Sequence, residues 1–104
     1  MGRITIPFNN WSKERLLTQY KKATSRTKKY GEAGDIFEVD GYKYVLELVL
    51  HVPLWFVAED LYKTEGAEST EEFIEVWESI HPKRGYRPFD NVWYHHFKEC
   101  TNEE

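Results

Sequence analysis

Cysteine is nearly absent from the 104-residue sequence, where Cys100 stands alone. One thiol closes no intrachain disulfide and builds no thiolate zinc site, and a reducing, cytoplasmic setting is expected. Long apolar runs are missing too. The longest, residues 44–56, is broken by Glu47, His51 and Pro53. Nothing reaches the roughly 20 apolar residues that a membrane-spanning helix needs, so no membrane partner is expected. The first residues carry no secretory pattern. Nothing repeats, and no segment is of low complexity. Residues 31–34, GEAG, lack the P-loop spacing and precede a strand pattern. No serine occupies a glycine-flanked elbow of the hydrolase type. His81, His95 and His96 lack metal spacing, and on a strand His95 and His96 face opposite ways. No metal and no cofactor is therefore expected.

What is present is a core. Apolar residues make up 40% of the chain and aromatics 16%, too much for a disordered polymer. At this length the whole of residues 1–104 reads as one small domain, with its core over about 3–98 and a frayed tail at 101–104. The net charge of −4 conceals an asymmetry. Between residues 10 and 30, seven cations face Glu14 alone, a local balance of +6 that leaves −10 for the rest. Such a cationic face suits an anionic ligand; equally, it describes a solvated helix flank and loop.

Alternation gives a first strand over residues 3–6, stopped by Pro7. Asn9, Asn10 and Ser12 offer caps for a helix over about residues 12–22, with Leu16, Leu17, Tyr20 and Ala23 as its apolar stripe. A polar strand pattern follows at residues 24–27. Ile36, Phe37 and Val39 form a strand, and Asp40-Gly41 is the strongest hairpin turn in the chain. The return strand, residues 42–52, sets Tyr44, Leu46, Leu48 and Leu50 on one face and Val45, Glu47, Val49 and His51 on the other. Pro53 starts a helical segment to about residue 62, anchored by Trp55 and Leu61. Ser69 with Glu72 forms a capping box for a helix over residues 70–80, which buries Phe73, Ile74, Trp77 and Ile80. A basic loop at residues 83–88 leads to an aromatic strand at 92–98. The expected class is α+β, mainly β: a small barrel of about five or six antiparallel strands with flanking helices.

The chemistry gathers at residues 21–35, KKATSRTKKYGEAGD. In an extended segment Thr24 and Arg26 point the same way, and Lys21 stands just before them. A hydroxyl, an amine and a guanidinium either converge on one pocket or mark a helix end and an exposed polar strand. Glu65 sits before Gly66 in a break between two helices. It either turns inward to meet Lys21 and Thr24, or is an exposed loop or cap residue. Trp11, Trp55, Trp93, Tyr30 and Tyr86 offer stacking faces for a base or fill the core; Trp77 belongs to the core. His51 reads as a packed or solvent-edge histidine. Lys22, Lys28, Lys29, Arg84, Tyr86 and Arg87 complete the expected ligand-binding set with Arg26.

These residues carry a resemblance. Lys21-x-x-Thr24-x-Arg26, Gly34-Asp35, Glu65-Gly66 and Phe73-x-x-x-Trp77-x-x-Ile80-His81-Pro82, in that order, resemble the ASCH domain, a family similar in fold to PUA domains. The match runs over about residues 11–97. The resemblance implies a PUA-like β-barrel whose ligand cleft is floored by the Lys-Thr-Arg segment, and a role in binding RNA or a nucleoside. One bacterial branch hydrolyses N4-acetylcytidine to cytidine and acetate without a metal, and its proposed catalytic lysine, threonine and glutamate match Lys21, Thr24 and Glu65. The Glu65 loop, EGAES, and the longer basic loop at residues 83–87 depart from that branch. Two classes of function follow: an RNA- or modified-nucleoside-binding module, and an amidohydrolase on an acetylated nucleoside. A protein adaptor is a third class, argued only by the cointegrator kinship in the family name. The chain is expected to act as a monomer.

Overall fold

The computed structural model describes residues 2–100; the expected frayed tail lies outside them. Helix α1 (Asn10–Leu17) leads into strand β1 (Ala23–Arg26). A hairpin of β2 (Ile36–Val39) and β3 (Tyr42–Pro53) follows, then α2 (Leu54–Asp60), α3 (Thr70–Ile80) and β4 (Asn91–Glu99). The strands form one antiparallel sheet in the order β1-β4-β3-β2. The α+β, mainly β class holds, with four strands in the sheet among the described residues rather than five or six. No helix among the described residues is long and apolar enough to cross a membrane.

The missing strand is the one expected at residues 3–6. There Arg3 makes a single parallel bridge to Ile36, flanked by Ile4 N–H donating to Ile36 O at 2.9 Å. Ile6 then turns inward and is buried, so burial rather than pairing claims the segment.

The hairpin forms as its turn chemistry requires. Asp40 and Gly41 both take positive φ, 51° and 87°, the backbone a tight two-residue turn needs. Helix α3 is bounded as expected. Ser69 Oγ accepts from Glu72 N–H at 3.0 Å, and Glu71 and Glu72 lie at the positive end of the helix dipole. The Glu72 carboxylate reaches Glu68 N–H rather than that of the cap residue. Ile80, expected in the core, is exposed at the helix end.

Helix α1 stops earlier than its stripe suggests. Asn9 caps it, accepting from Ser12 N–H at 2.8 Å. At the other end Gln19 swings to φ 69°, and the N–H groups of Tyr20 and Lys21 both fold back on Arg15 O. That ending throws Tyr20 into solvent and puts Lys21 in the connection to β1. Helix α2 is held by Leu54, Val57 and Ala58, and Leu61 at its C-cap packs on the same core as expected, whereas Trp55 is exposed.

A bulge in β3 decides where the cores lie. The register runs Leu46 opposite Phe97 and then Leu48 opposite His96, leaving Glu47 as an extra residue. One extra residue exchanges the faces of everything after it. Tyr44 and Leu46 join Phe37, Phe97, Leu16 and Ile6 in one core. Beyond the bulge, Leu50 and Val52 pack on the opposite core with α2, α3, Val92 and Tyr94. Leu48, expected beside Leu46, is exposed for this reason.

Candidate functional site

Strand β1 is a sheet edge with β4 on one side only. Its first residues are tied on the other side to the α2–α3 loop, where Thr64 O accepts the N–H groups of Lys22 (2.6 Å) and Ala23 (2.8 Å). This tie carries Glu65 over the strand. A cleft of about 480 Å³ opens there, within the usual size of small-ligand sites. Lys21, Thr24, Ser25, Arg26 and Glu65 contribute its polar lining. Phe8 and Trp11 from the segment around the α1 cap, Tyr30, and Phe73 and Trp77 from α3 contribute the apolar walls.

Lys21 and Glu65 meet. Lys21 Nζ donates to the Glu65 carbonyl at 2.9 Å and to its Oε1 at 3.2 Å. Ser25 Oγ donates to Glu65 Oε2 at 2.7 Å. Lys21 and Glu65 are each 4% exposed, so this is a buried ion pair, and a third hydrogen bond completes it. Burial holds the Lys21 ammonium below the usual lysine range; Glu65 pulls the other way without cancelling it, and Arg26 and Arg15 add to the lowering.

Thr24 and Arg26 share the opposite face of β1, as alternation requires. Arg26 Nε donates to Thr24 Oγ1 at 3.0 Å. A guanidinium only donates, so the threonine accepts and keeps its own proton free. The Arg26 charge sits 5.0 Å from the Phe8 ring and 5.5 Å from the Tyr30 ring. Burial lowers its pKa as well, opposed by Tyr30 and Glu65.

His95 braces this arrangement from beneath. It is fully buried. Its Nε2 accepts from Tyr30 N–H at 3.1 Å, which assigns the proton to Nδ1, and Nδ1–H then donates to Thr24 O at 3.1 Å. The ring thereby ties the Tyr30 wall to the strand that carries Thr24.

Gly66 sets the entry of Glu65. It has φ 96°, and its carbonyl accepts from Arg15 Nε at 3.1 Å. A methyl there would meet Arg15 and Lys21 side-chain atoms at 3.2–3.3 Å. Gly66→Ala is expected to cost roughly 1–2 kcal/mol from the left-handed backbone alone. Urea unfolding measures it, and an unchanged midpoint would show that the loop relaxes freely.

The site thus brings Lys21, Thr24, Arg26, Lys28 and Glu65 to one cleft. Lys22, Lys29, Arg84, Tyr86 and Arg87 stand outside its lining. Arg84 and Arg87 both pair with Asp90, at 2.8 and 3.4 Å, and Tyr86 packs on the α2–α3 core. Of the expected stacking faces, Trp11 and Tyr30 line the cleft, and Trp55 and Trp93 do not; Trp77, expected in the core, is buried there and also borders the cleft. Ser25, Phe8 and His95 were not in the sequence-derived set. For Ser25 the signal exists: alternation continued back along the strand groups Ser25 with Lys21, not with Thr24. No pattern marks Phe8 or His95, whose places depend on the N-terminal segment crossing the cleft and on the β1–β4 pairing.

Solved structures share this architecture. The ASCH domain from Lactobacillus crispatus JV V101 superposes with a TM-score of 0.68 at 17% identity, over 94% of this chain and 79% of that one. The fold is that of an ASCH domain. The hypothetical protein PH0355 aligns with a TM-score of 0.66 at 16% identity, over 96% of this chain and 100% of that one. Protein EF3133 from Enterococcus faecalis V583 gives 0.61 at 17% identity, over 99% and 82%. No protein-family model and no curated protein matches the sequence. Within the ASCH fold, the cleft beside β1 is built from the segment that carried the sequence resemblance.

Proposed function

We propose that the cleft binds a nucleoside, either free and modified or as an unpaired residue of RNA. The observation that carries this reading is the buried Lys21–Glu65–Ser25 cluster at the floor of a pocket walled by aromatic rings. A planar, polar-edged ligand suits such a site: rings stack on its faces, and fixed donors and acceptors read its edge. Arg26 and Lys28 at the lining suit an anionic or carbonyl-bearing substituent. In calorimetric titration cytidine or N4-acetylcytidine should bind, and Arg26→Ala should weaken binding by about tenfold, as loss of a charged hydrogen bond does. If RNA is the ligand, Lys28→Glu with Lys29→Glu should weaken it across sequences and reduce its salt dependence. Failure of nucleosides and RNA alike to bind at low salt would overturn the reading.

A second reading, hydrolysis of an N4-acyl bond, is favoured by two details. The Thr24 hydroxyl proton is free because Arg26 only donates to it, and the lowered pKa of Lys21 raises its neutral, proton-accepting fraction. Thr24 Oγ would attack the acyl carbon, Lys21 would carry its proton to the leaving amine, and water would then release the acid. Acetate release should rise with pH through the lowered Lys21 pKa and level off below 10.5. Thr24→Ala should abolish it and spare nucleoside binding. A wild-type protein that binds N4-acetylcytidine yet releases no acetate leaves binding as the function.

A further inference from the structure

Cross-strand pairing sets Arg26 opposite Trp93, and Trp93 opposite His51. Opposed residues share a face, so these three side chains form a row across β1, β4 and β3. The row begins inside the cleft, which Arg26 lines, and ends in solvent at the exposed His51. Strand spacing makes it about 10 Å long. His51 lies flat on Trp93, with centroids 4.1 Å apart and the planes within 4°. Neither ring belongs to either core, so apolar packing does not account for the stack. Cations border it. Lys29 Nζ stands 5.1 Å from the Trp93 ring centre, and Lys28 Nζ 5.1 Å from that of Tyr30. Lys29 also pairs with Glu32, while Lys28 has no ion-pair partner among the described residues.

We propose that this row is a second nucleotide subsite. A single-stranded RNA with one base in the cleft lays the adjoining base on the His51–Trp93 stack, and Lys28 and Lys29 face the phosphate between them. The proposal rests on the nucleoside reading of the cleft and extends it from a free nucleoside to a polynucleotide. The geometry favours that ligand for two reasons. Two rings stacked in parallel, with the exposed His51 outermost, present a flat π-face, which any base can cover. The 10 Å separation exceeds the roughly 3.4 Å rise of stacked neighbours, so the two bases must be splayed apart, as they are when proteins read single strands.

The test is calorimetric titration of the intact protein and of His51→Ala with cytidine and with a cytidine-containing RNA tetranucleotide at low salt. Because His51 is exposed, its truncation leaves both cores intact. Wild type should bind the tetranucleotide more tightly than cytidine. His51→Ala should weaken the tetranucleotide by about tenfold, the usual loss of one stacked base, and leave cytidine affinity unchanged. Lys29→Gln, outside the cleft lining, should lower the salt dependence for the tetranucleotide and leave cytidine binding unchanged. Equal wild-type affinity for the two ligands, or a tetranucleotide affinity that His51→Ala leaves unaltered, overturns the second subsite while the cleft reading stands. If neither ligand binds, the cleft reading falls and takes the subsite with it.

Discussion

Glu65→Ala should remove roughly 3–5 kcal/mol of folding stability, the usual cost of stranding one member of a buried ion pair. Typical domains hold only about 5–15 kcal/mol in total. Truncation strands the Lys21 ammonium, which is 4% exposed and has only the Glu65 carbonyl left as a partner. It also strands the Ser25 hydroxyl, whose bond is to Glu65 Oε2. The loss reflects desolvation without compensation rather than the worth of the pair itself. Lys21→Met combined with Glu65→Leu should therefore recover the part of the loss due to the stranded charge, because apolar groups of similar size replace both charges, and leave the part due to the unpaired Ser25 hydroxyl. The double variant should still bind no nucleoside. Urea unfolding followed by tryptophan fluorescence measures all three proteins. A Glu65→Ala protein within 1 kcal/mol of wild type, an order-of-magnitude threshold below any buried-pair loss, would mean that water reaches Lys21 and that the pair is not a closed structural unit.

The second large effect is a dependence on pH. Stability should decline as pH falls below about 6.5, and His95 is the cause. Its pKa is lowered from 6.5, first by burial and then by Arg26, despite the opposing bond to Thr24 O. Protonation would place a second ring N–H against the Tyr30 N–H that Nε2 now accepts. Above pH 6.5 the ring is neutral in both folded and unfolded chains, and the full stability is present. Below it the unfolded chain takes up a proton that the folded one refuses, so the equilibrium moves toward unfolding. The loss continues until pH reaches the folded-state value, at about 1.4 kcal/mol for each unit between the two. His95→Gln can accept from Tyr30 and donate to Thr24 without titrating. The difference between the two proteins' stability curves isolates His95 from the other histidines. Parallel curves between pH 7 and pH 5, the range where an ordinary histidine titrates, would dismiss the histidine as the origin.

Much of the frame was legible because local chemistry and tertiary demand agree. Asp40 and Gly41 accept the positive φ that the hairpin needs, and Ser69 marks the start of α3 wherever that helix packs. The early end of α1 was not legible. A glutamine adopts the left-handed conformation there, a role usually signalled by glycine. The bulge at Glu47 was hidden as well, since apolar residues continue at even positions on both sides of it. At the site, strand alternation set Thr24 beside Arg26. The same alternation groups Lys21 with Ser25, a pairing that the Lys21-x-x-Thr24-x-Arg26 spacing does not express. That Glu65 reaches Lys21 depends on Thr64 O closing onto β1 across forty-odd residues of chain (|i−j| = 44 for the pair itself). No local pattern decides such a contact: the break before Gly66 left Glu65 turned inward or exposed, and the family resemblance favoured the first.

The bulge in β3 has a hereditary consequence. Replacement of one side chain in that strand disturbs one contact. Gain or loss of one residue there reassigns every later side chain to the other core, as a shifted reading frame reassigns every later codon. Descent can therefore vary the chemistry of β3 far more freely than its length. Changes in length are left to the loops, at residues 27–35 and 81–90, and those loops border the cleft and the charged surface. Divergence by insertion is thus channelled toward the rim of the cleft, while the strand joining the two cores stays at a fixed count.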